Sequence, residues 1–325
     1  MSAVRIVSVF SVVCAVCTTI ACKRDPPVGG PGPIPTPVAP ATAPRPPLAA
    51  VSVSSLGIAD AGAGAEAGAA AAAGIDAAAP AASAGCGTAV ATPRGTAYTT
   101  RAGRTFHVWG PTSFTPNRRY PVMLNFHGWY TNGRDFQKWF KMEDHVDGAA
   151  FTVYPDSTGP TWDITGDRDL DFTAEIVESL SNAYCIDRAH VFALGFSYGG
   201  KFVHHLGCKR PALVKAISVG DGSWAQDSAC RAMPVLVTHR TRDHDELIAW
   251  GKEAMTRWVK INGCSQATDV TDAAHGCVTY RGCTAPGSVT FCEDTHFDAA
   301  WPQDWNHTIR EEYRSLTWTW FQSVP

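Results

Sequence analysis

The sequence predicts an α/β fold over residues 85–325, with a mainly parallel central sheet and helices on both faces. Short apolar runs alternate along this stretch with segments of helical periodicity, the pattern of successive βα units. About 240 residues is a usual size for one such domain and is enough to bury a large core. A third observation is the motif GFSYGG at 195–200, which lies between an apolar run and a helix-compatible stretch.

The predicted elements follow in order along the chain. Apolar runs predict strands at 105–109, 120–126, 150–154, 190–196, 216–219, 235–238 and 289–292. Apolar residues at helical spacing predict helices at 169–184, 247–261 and 309–321. An open α/β sheet has its site beyond the carboxyl ends of the strands. Four segments occupy such ends: 127–133, 197–200, 239–245 and the loop after Cys292.

Residues 1–84 are predicted to lie outside the folded domain. Residues 1–22 hold one early charge, Arg5, followed by an apolar run, which is typical of a signal peptide. A small residue before Cys22 resembles a bacterial lipoprotein processing site, so membrane attachment through a lipid on Cys22 is one expectation. Ordinary cleavage nearby and a plain membrane anchor are the alternatives. Residues 23–84 are rich in Pro and then in Ala and Gly, which predicts a disordered tether on a secreted or cell-envelope protein.

The net charge limits the kinds of partner that the protein can bind, and the cysteine content indicates the compartment in which it folds. The net charge is −3 and there is no basic run, which argues against nucleic acid. An even number of cysteines behind an export signal predicts disulfides in an oxidising compartment, and the sequence leaves their pairing open. The eight cysteines of the domain are Cys86, Cys185, Cys208, Cys230, Cys264, Cys277, Cys283 and Cys292. None of these eight cysteines forms a Cys-x-x-Cys pair with another, so we expect no metal site in the domain.

Ser197 is the predicted nucleophile. A strand, then Gly-x-Ser-x-Gly, then a helix is the context of a nucleophile elbow, a turn too tight for side chains on either flank of the serine. Ser197 would then stand at the carboxyl end of a central strand. The alternative is a polar residue in a Gly-rich turn.

The acid is expected after the strand 235–238, because the chain order in such hydrolases is serine, acid, histidine. Asp243, Asp245 and Glu246 follow that strand, and Asp243 is favoured because it lies nearest the strand end. Its carboxylate would hold the imidazole in the right tautomer. Asp221, one strand earlier, is a weaker candidate, and a solvated acidic loop is the alternative for the whole group.

The histidine is expected between the last strand and the last helix. His296 and His307 both follow the last strand. His296 lies almost at the strand end, whereas His307 is predicted to open the final helix. We favour His307 as the base, with His296 as the alternative.

Two backbone N–H groups are predicted to form the oxyanion hole. One belongs to Tyr198, the residue after the nucleophile. The other is expected from the loop after strand 120–126, where Gly128 lets the backbone turn and Trp129 supplies the N–H. The Trp129 side chain could line a pocket for the acyl group or could simply cap the core.

Several segments resemble one family of enzymes. YPVMLNFHGW, CIDRAHVFALGFSYGG, THRTRD and WGKEAMTRWVKINGC are similar to secreted feruloyl esterases and short poly(3-hydroxybutyrate) depolymerases, which belong to family one of the carbohydrate esterases. The likeness covers most of 100–325 and is closer to the feruloyl esterases. It implies an α/β-hydrolase fold, a Ser-His-Asp triad and no cofactor. Ser197 matches the family's nucleophile, Asp243 its acid and Trp129 its oxyanion position.

The chain departs from the family pattern at two places. Arg240 stands where the family often has a glycine before the acid. The family also often has Gly-His followed closely by Trp-Pro, whereas here Trp301-Pro302 lies between His296 and His307.

The sequence therefore favours one function and leaves alternatives inside and outside the hydrolases. The favoured one is a serine esterase that cleaves carboxylic esters, in particular hydroxycinnamoyl esters of plant cell-wall polysaccharide. A poly(3-hydroxyalkanoate) depolymerase or an acetyl xylan esterase is the alternative within hydrolases. An inactive surface binding protein on the same scaffold is the alternative of another class, because fold alone does not imply activity. The sequence does not indicate the oligomeric state.

Overall fold

The computed structural model describes residues 82–224, 230–296 and 306–325. The strands in these ranges are β1 (Arg94–Thr99), β2 (Thr105–Trp109), β3 (Tyr120–Phe126), β4 (Phe151–Pro155), β5 (Ile186–Phe196), β6 (Ala216–Gly220), β7 (Pro234–Arg240), β8 (Thr268–Asp272), β9 (Cys277–Tyr280) and β10 (Ser288–Asp294). The helices are α1 (Gly133–Phe140), α2 (Arg168–Ala183), α3 (Tyr198–Lys209), α4 (Ile248–Ile261) and α5 (Glu311–Ser323), with a 3₁₀ turn at Met142–Asp144.

The strands form a single sheet in the order β1-β2-β4-β3-β5-β6-β7-β10-β9-β8. The six central strands, from β4 to β10 in this order, run parallel. The outer strands on each side pair antiparallel. All seven predicted strands are present, and the predicted mainly parallel sheet is confirmed. Its central parallel strands bring the carboxyl ends of β3, β5, β6 and β7 to one edge.

Helices cover both faces of the sheet because its central strands are apolar on both sides. Along β3, Val122 and Leu124 belong to a core shared with α2, α3 and α4. Met123 belongs to the opposite core, shared with α1 and α5. This alternation follows from the period of two along a strand.

Three of the described strands were not predicted, and α1 was not predicted either. β1 and β8 are largely exposed edge strands with mixed polar sequences, so they carry no apolar run. β9 is four residues long. The final helix begins at Glu311, so the prediction that His307 opens it was wrong: His307 lies in the preceding loop.

Four disulfides cross-link the domain, as the cysteine count predicted. They join Cys86 to Cys185, Cys208 to Cys230, Cys264 to Cys283 and Cys277 to Cys292. The first closes a separation of 99 residues and fixes the N-terminal segment to the residue that precedes β5.

The predicted leader (1–22), the tether up to residue 81 and the Trp301-Pro302 pair lie outside the described residues. Within the described ranges, none of the helices combines the length and the apolar character needed to cross a bilayer.

Candidate active site

Ser197 lies in a strained turn between β5 and α3. Its φ of 55° and ψ of −120° fall outside the usual regions for a residue with a side chain, and Ser197 is 9% exposed. The flanking glycines are required by close backbone contacts. A Cβ on Gly195 would lie 2.1 Å from the Gly199 carbonyl oxygen, and one on Gly199 would lie 2.2 Å from the Phe126 oxygen. The motif therefore has the strand–turn–helix geometry of a nucleophile elbow.

Asp243 and His307 form a hydrogen-bonded pair beside this turn. The Asp243 Oδ2 atom lies 2.6 Å from Nδ1 of His307. The backbone N–H groups of Asp245 and Glu246 each donate to Asp243 Oδ1 at 2.9 Å. Asp243 is 3% exposed. Three hydrogen bonds therefore hold this buried carboxyl group in one orientation.

The environment of His307 favours the imidazolium. Burial by itself would lower the pKa of His307, but the hydrogen bond and the charge of Asp243 outweigh burial, and the pKa is raised above its ordinary value of 6.5. The charge of Asp245 acts in the same direction. Stabilisation of a developing imidazolium is what a general base beside a carboxylate needs.

His307 and Ser197 line the same cleft. The His307 ring packs on Phe196, the residue before Ser197, with the ring centroids 4.7 Å apart. Since Nδ1 is used by Asp243, Nε2 is the nitrogen left for the serine hydroxyl.

Arg240, which departs from the family pattern, contacts Asn306, the residue before His307. Its guanidinium donates to the Asn306 side chain at 3.2 Å and to the His296 carbonyl at 2.9 Å. It thus ties the residue before His307 to the end of β7. Sequence reasoning noted Arg240 only as a departure, because these partners are more than fifty residues away.

The other sequence candidates lie elsewhere. His296 is exposed, donates its backbone N–H to Asp294 and does not contribute to the described lining of the cleft. Asp245 is exposed at the cleft edge. Glu246 makes an ion pair with Lys201 at 2.6 Å, also in the cleft wall.

Asp221 lies beside Asp243 and His307. It follows β6 directly, and β6 pairs with β7, so both carboxyl groups emerge at the same sheet edge. One donor atom each of Asp221, Asp243 and His307 lies within 4.8 Å of the other two, a separation at which these residue types could hold a metal ion. Both oxygens of Asp243 are already hydrogen-bonded, which fits a triad carboxylate better than a metal ligand.

The loop after β3 lies against the nucleophile. A Cβ on Gly128 would be 3.3 Å from the Ser197 Cβ, so the backbone passes Ser197 at close range. The N–H of Tyr130 donates to the Pro160 carbonyl. The Trp129 N–H has no acceptor among the described backbone carbonyls. The Tyr198 N–H is at the N-terminus of α3, where backbone donors have no partner in their own helix.

His127 fixes this loop and was missed as a functional residue. Its Nδ1 lies 2.7 Å from the Gly128 carbonyl oxygen, and its Nε2 accepts from the Ser157 N–H at 3.3 Å. The Trp162 indole donates to the His127 carbonyl at 2.9 Å. Burial is the main cause of a lowered pKa for His127, so the ring is neutral and carries its proton on Nδ1. The His-Gly sequence at the strand end was the signal for this role.

The cleft over Ser197 has a volume of about 560 Å³. Aromatic side chains dominate its lining, and the Lys201–Glu246 ion pair adds a polar patch. The aromatic residues are Trp129, Phe136, Trp139, Phe196 and Tyr198. This arrangement can bind a planar apolar group with one polar substituent next to Ser197.

The fold is that of an α/β-hydrolase. It is similar to the acetyl xylan esterase from Aspergillus awamori, with a TM-score of 0.52 and 13% identity over 70% of this chain and 98% of that one. It is also similar to the Bacillus cereus carboxylesterase, with a TM-score of 0.50 and 14% identity over 69% and 96% of the two chains.

Curated relatives give the family. The chain is 30% identical over 201 residues to feruloyl esterase D of Neurospora crassa. The aligned region covers 55% of this chain and 68% of that protein. It is 28% identical over 208 residues to feruloyl esterase C of Emericella nidulans, and this aligned region covers 60% of this chain and 76% of that protein. No protein-family model matches the chain. The chain therefore belongs to the feruloyl esterase family of carboxylic ester hydrolases, and the predicted family is confirmed.

Proposed function

We propose that this protein is a serine esterase that cleaves hydroxycinnamoyl esters of plant cell-wall polysaccharide. Ser197 is the nucleophile, His307 the general base and Asp243 the acid of a triad. The observation that carries the proposal is the 2.6 Å contact between Asp243 and His307 beside the strained turn that holds Ser197. The curated relatives named feruloyl esterases support the choice of acyl group.

The reaction follows from the roles of these residues. His307 Nε2 takes the proton of the Ser197 hydroxyl as Oγ attacks the ester carbonyl, and Asp243 stabilises the imidazolium. The N–H groups of Trp129 and Tyr198 donate to the oxyanion of the tetrahedral intermediate. The alcohol leaves with the proton from His307. Water, activated by the same histidine, then releases the acid and restores Ser197.

The walls of the cleft support an aromatic acyl group. Trp139 packs edge-on against Phe196 at 5.5 Å, which leaves an apolar surface beside Ser197. The Lys201–Glu246 pair offers donors and a carboxylate to a phenolic hydroxyl. Such a cleft has more room than an acetyl group needs.

An acetyl ester is the second candidate. The chain is 32% identical over 147 residues to a bifunctional acetylxylan esterase/xylanase of Neocallimastix patriciarum, covering 44% of this chain and 22% of that protein. A hydroxyalkanoate polyester is the third, from the likeness of sequence motifs. An inactive scaffold is disfavoured by the complete set of triad side chains.

An ester panel with matched variants tests the proposal. We expect methyl ferulate to be hydrolysed with a higher kcat/KM than acetylated xylan or a hydroxybutyrate oligomer, and Ser197→Ala to abolish all turnover. His307→Ala should lower the rate about a thousandfold or more, whereas His296→Ala should leave it nearly unchanged. Undiminished turnover by Ser197→Ala would refute the serine mechanism. A preference for acetylated xylan would move the substrate to the second candidate.

We further propose that the chain is exported and works outside the reducing cytoplasm, which its four disulfides support. Residues 1–22 serve as a leader, 23–84 as a tether and 85–325 as the catalytic domain. Loss of membrane association in Cys22→Ser would support a lipid anchor, and retained association would refute it.

A further inference from the structure

Asp221 is a second buried carboxyl group at the proposed triad. It is 2% exposed, and its backbone N–H continues the sheet by donating to the Thr238 carbonyl at 3.0 Å. Its φ of 46° is in the left-handed region, where aspartate and asparagine are the best tolerated residues after glycine. The proposed triad does not include Asp221.

The hydrogen bonds of the two carboxyl groups differ. Asp243 accepts three, two from backbone N–H groups and one from His307. Asp221 accepts one through Oδ1, from the Arg240 N–H at 2.8 Å. Asp221 Oδ2 is buried and has no hydrogen-bond partner among the described residues. An ionised oxygen in that position would be desolvated without any donor, which is costly.

A proton on Asp221 removes this cost. Oδ2 then becomes a donor, and the Asp243 carboxylate is an acceptor at the same sheet edge, within the 4.8 Å cluster. Burial raises the pKa of Asp221 well above its ordinary value, and the charge of Asp243 raises it further. His307 and Arg240 oppose this shift with smaller effects. The Arg240 guanidinium donates to the Asn306 side chain and the His296 carbonyl and lies 3.8 Å from Asp294, so its described partners do not include the Asp221 carboxyl group.

We propose that Asp221 is a positioning residue that acts as a neutral carboxylic acid and donates a hydrogen bond to Asp243. The bond fixes the Asp243 carboxylate in the orientation that His307 needs. The buried end of the triad then holds a neutral carboxyl group, that of Asp221, next to a charged one, that of Asp243. This inference rests on the proposed catalytic roles of Ser197, His307 and Asp243.

Asp221→Asn gives the sharpest test, because asparagine keeps a donor, tolerates the left-handed backbone and carries no charge. We expect kcat for methyl ferulate to stay within about threefold of the wild type, and the acidic limb of the kcat/KM profile to stay at the same pH. Asp221→Ala removes the donor and should lower kcat about 10- to 100-fold, with KM unchanged.

The position of the acidic limb in Asp221→Asn distinguishes a neutral Asp221 from an ionised one. If Asp221 were ionised, it would raise the pKa of His307, and Asp221→Asn would move the acidic limb to lower pH. That shift would overturn the proposal. The proposal would also fail if kcat fell as far in Asp221→Asn as in Asp221→Ala, or if Asp221→Ala kept full activity. Asp221→Asn decides alone if the alanine variant does not fold. Failure of the proposed function would show separately, as ester hydrolysis by Ser197→Ala.

Discussion

Gly128 lies so close to Ser197 that a Cβ on the glycine would be 3.3 Å from the serine Cβ. That separation is tighter than side chains normally accept, so a methyl group at position 128 must displace the nucleophile or the loop by a few tenths of an ångström. The other near neighbour is the Phe196 ring at 3.4 Å, an ordinary contact. Gly128 therefore sets the spacing between the nucleophile and the loop that would bind the oxyanion.

Gly128→Ala is expected to lower kcat about 10- to 100-fold, with a small change in KM and in Tm. The oxyanion hole depends on donors held at a fixed distance from the reacting carbon, and loss of a single donor in such a site costs about 10²- to 10³-fold. Steady-state kinetics with a nitrophenyl ester, together with thermal unfolding, checks this. Wild-type kcat in a correctly folded variant would contradict the role of this loop.

Asp243→Asn is expected to lower kcat/KM by about 10⁴-fold and to move its acidic limb to lower pH. His307 must be neutral to act as a base, so activity is present above its pKa and is lost as the pH falls through that value. In the wild type this limb lies above the ordinary histidine value of 6.5, because Asp243 raises the pKa of His307. Asparagine carries no charge, so the limb moves down. A pH profile with an unmoved limb would show that another carboxylate partners His307.

Trp139→Ala is expected to lower kcat/KM for methyl ferulate about tenfold and to leave hydrolysis of nitrophenyl acetate nearly unchanged. Burial of a large aromatic contact stabilises an aromatic acyl group by one to a few kcal/mol, whereas an acetyl group makes little use of it. Trp250→Ala is the matched control, since Trp250 is 40% exposed, close to the 39% of Trp139, and does not line the cleft. Equal losses on both esters would indicate a structural effect instead of acyl recognition.

Asp221→Asn is expected to make the protein more stable than the wild type at neutral pH and equally stable in acid. The pKa of Asp221 is raised in the folded protein, so folding takes up a proton at pH values above the ordinary aspartate value of 3.8. That uptake destabilises the wild type by about 1.4 kcal/mol for each pH unit until the folded-state pKa is reached. Urea unfolding of both proteins at several pH values measures the difference. A constant difference across the pH range would contradict the protonated state.

The central strands could be predicted because burial on both faces leaves an apolar run that ends in a glycine, a proline or a polar residue. β3 and β5 show this directly. The edge strands could not be predicted, because β1 and β8 are largely exposed and their residues are mixed. His307 was misplaced at the start of a helix, since the apolar spacing that begins at Ile309 does not reveal that the helix starts at Glu311.

The candidate site was predictable where chain order constrains it. Ser197 is predicted from its motif, and Asp243 from its place just after β7. The cluster of Asp221 with Asp243 depends on β6 and β7 being neighbours in the sheet. Two further features depend on contacts between distant segments: the hydrogen bond from Arg240 to Asn306 and the packing of Trp139 against Phe196. Periodicity carries no information about such contacts.

The disulfide between Cys86 and Cys185 determines how a pulling force would enter this domain. Tension applied through the residues that precede Cys86 passes through the disulfide to Cys185, which directly precedes β5, the strand that ends one residue before Ser197. The edge strand β1 follows Cys86 in the chain and is bypassed, so its hydrogen bonds to β2 are not peeled apart one by one. An enzyme fixed by its N-terminal end to a surface, and dragged by a bulky polymer, would therefore be held at the middle of its sheet.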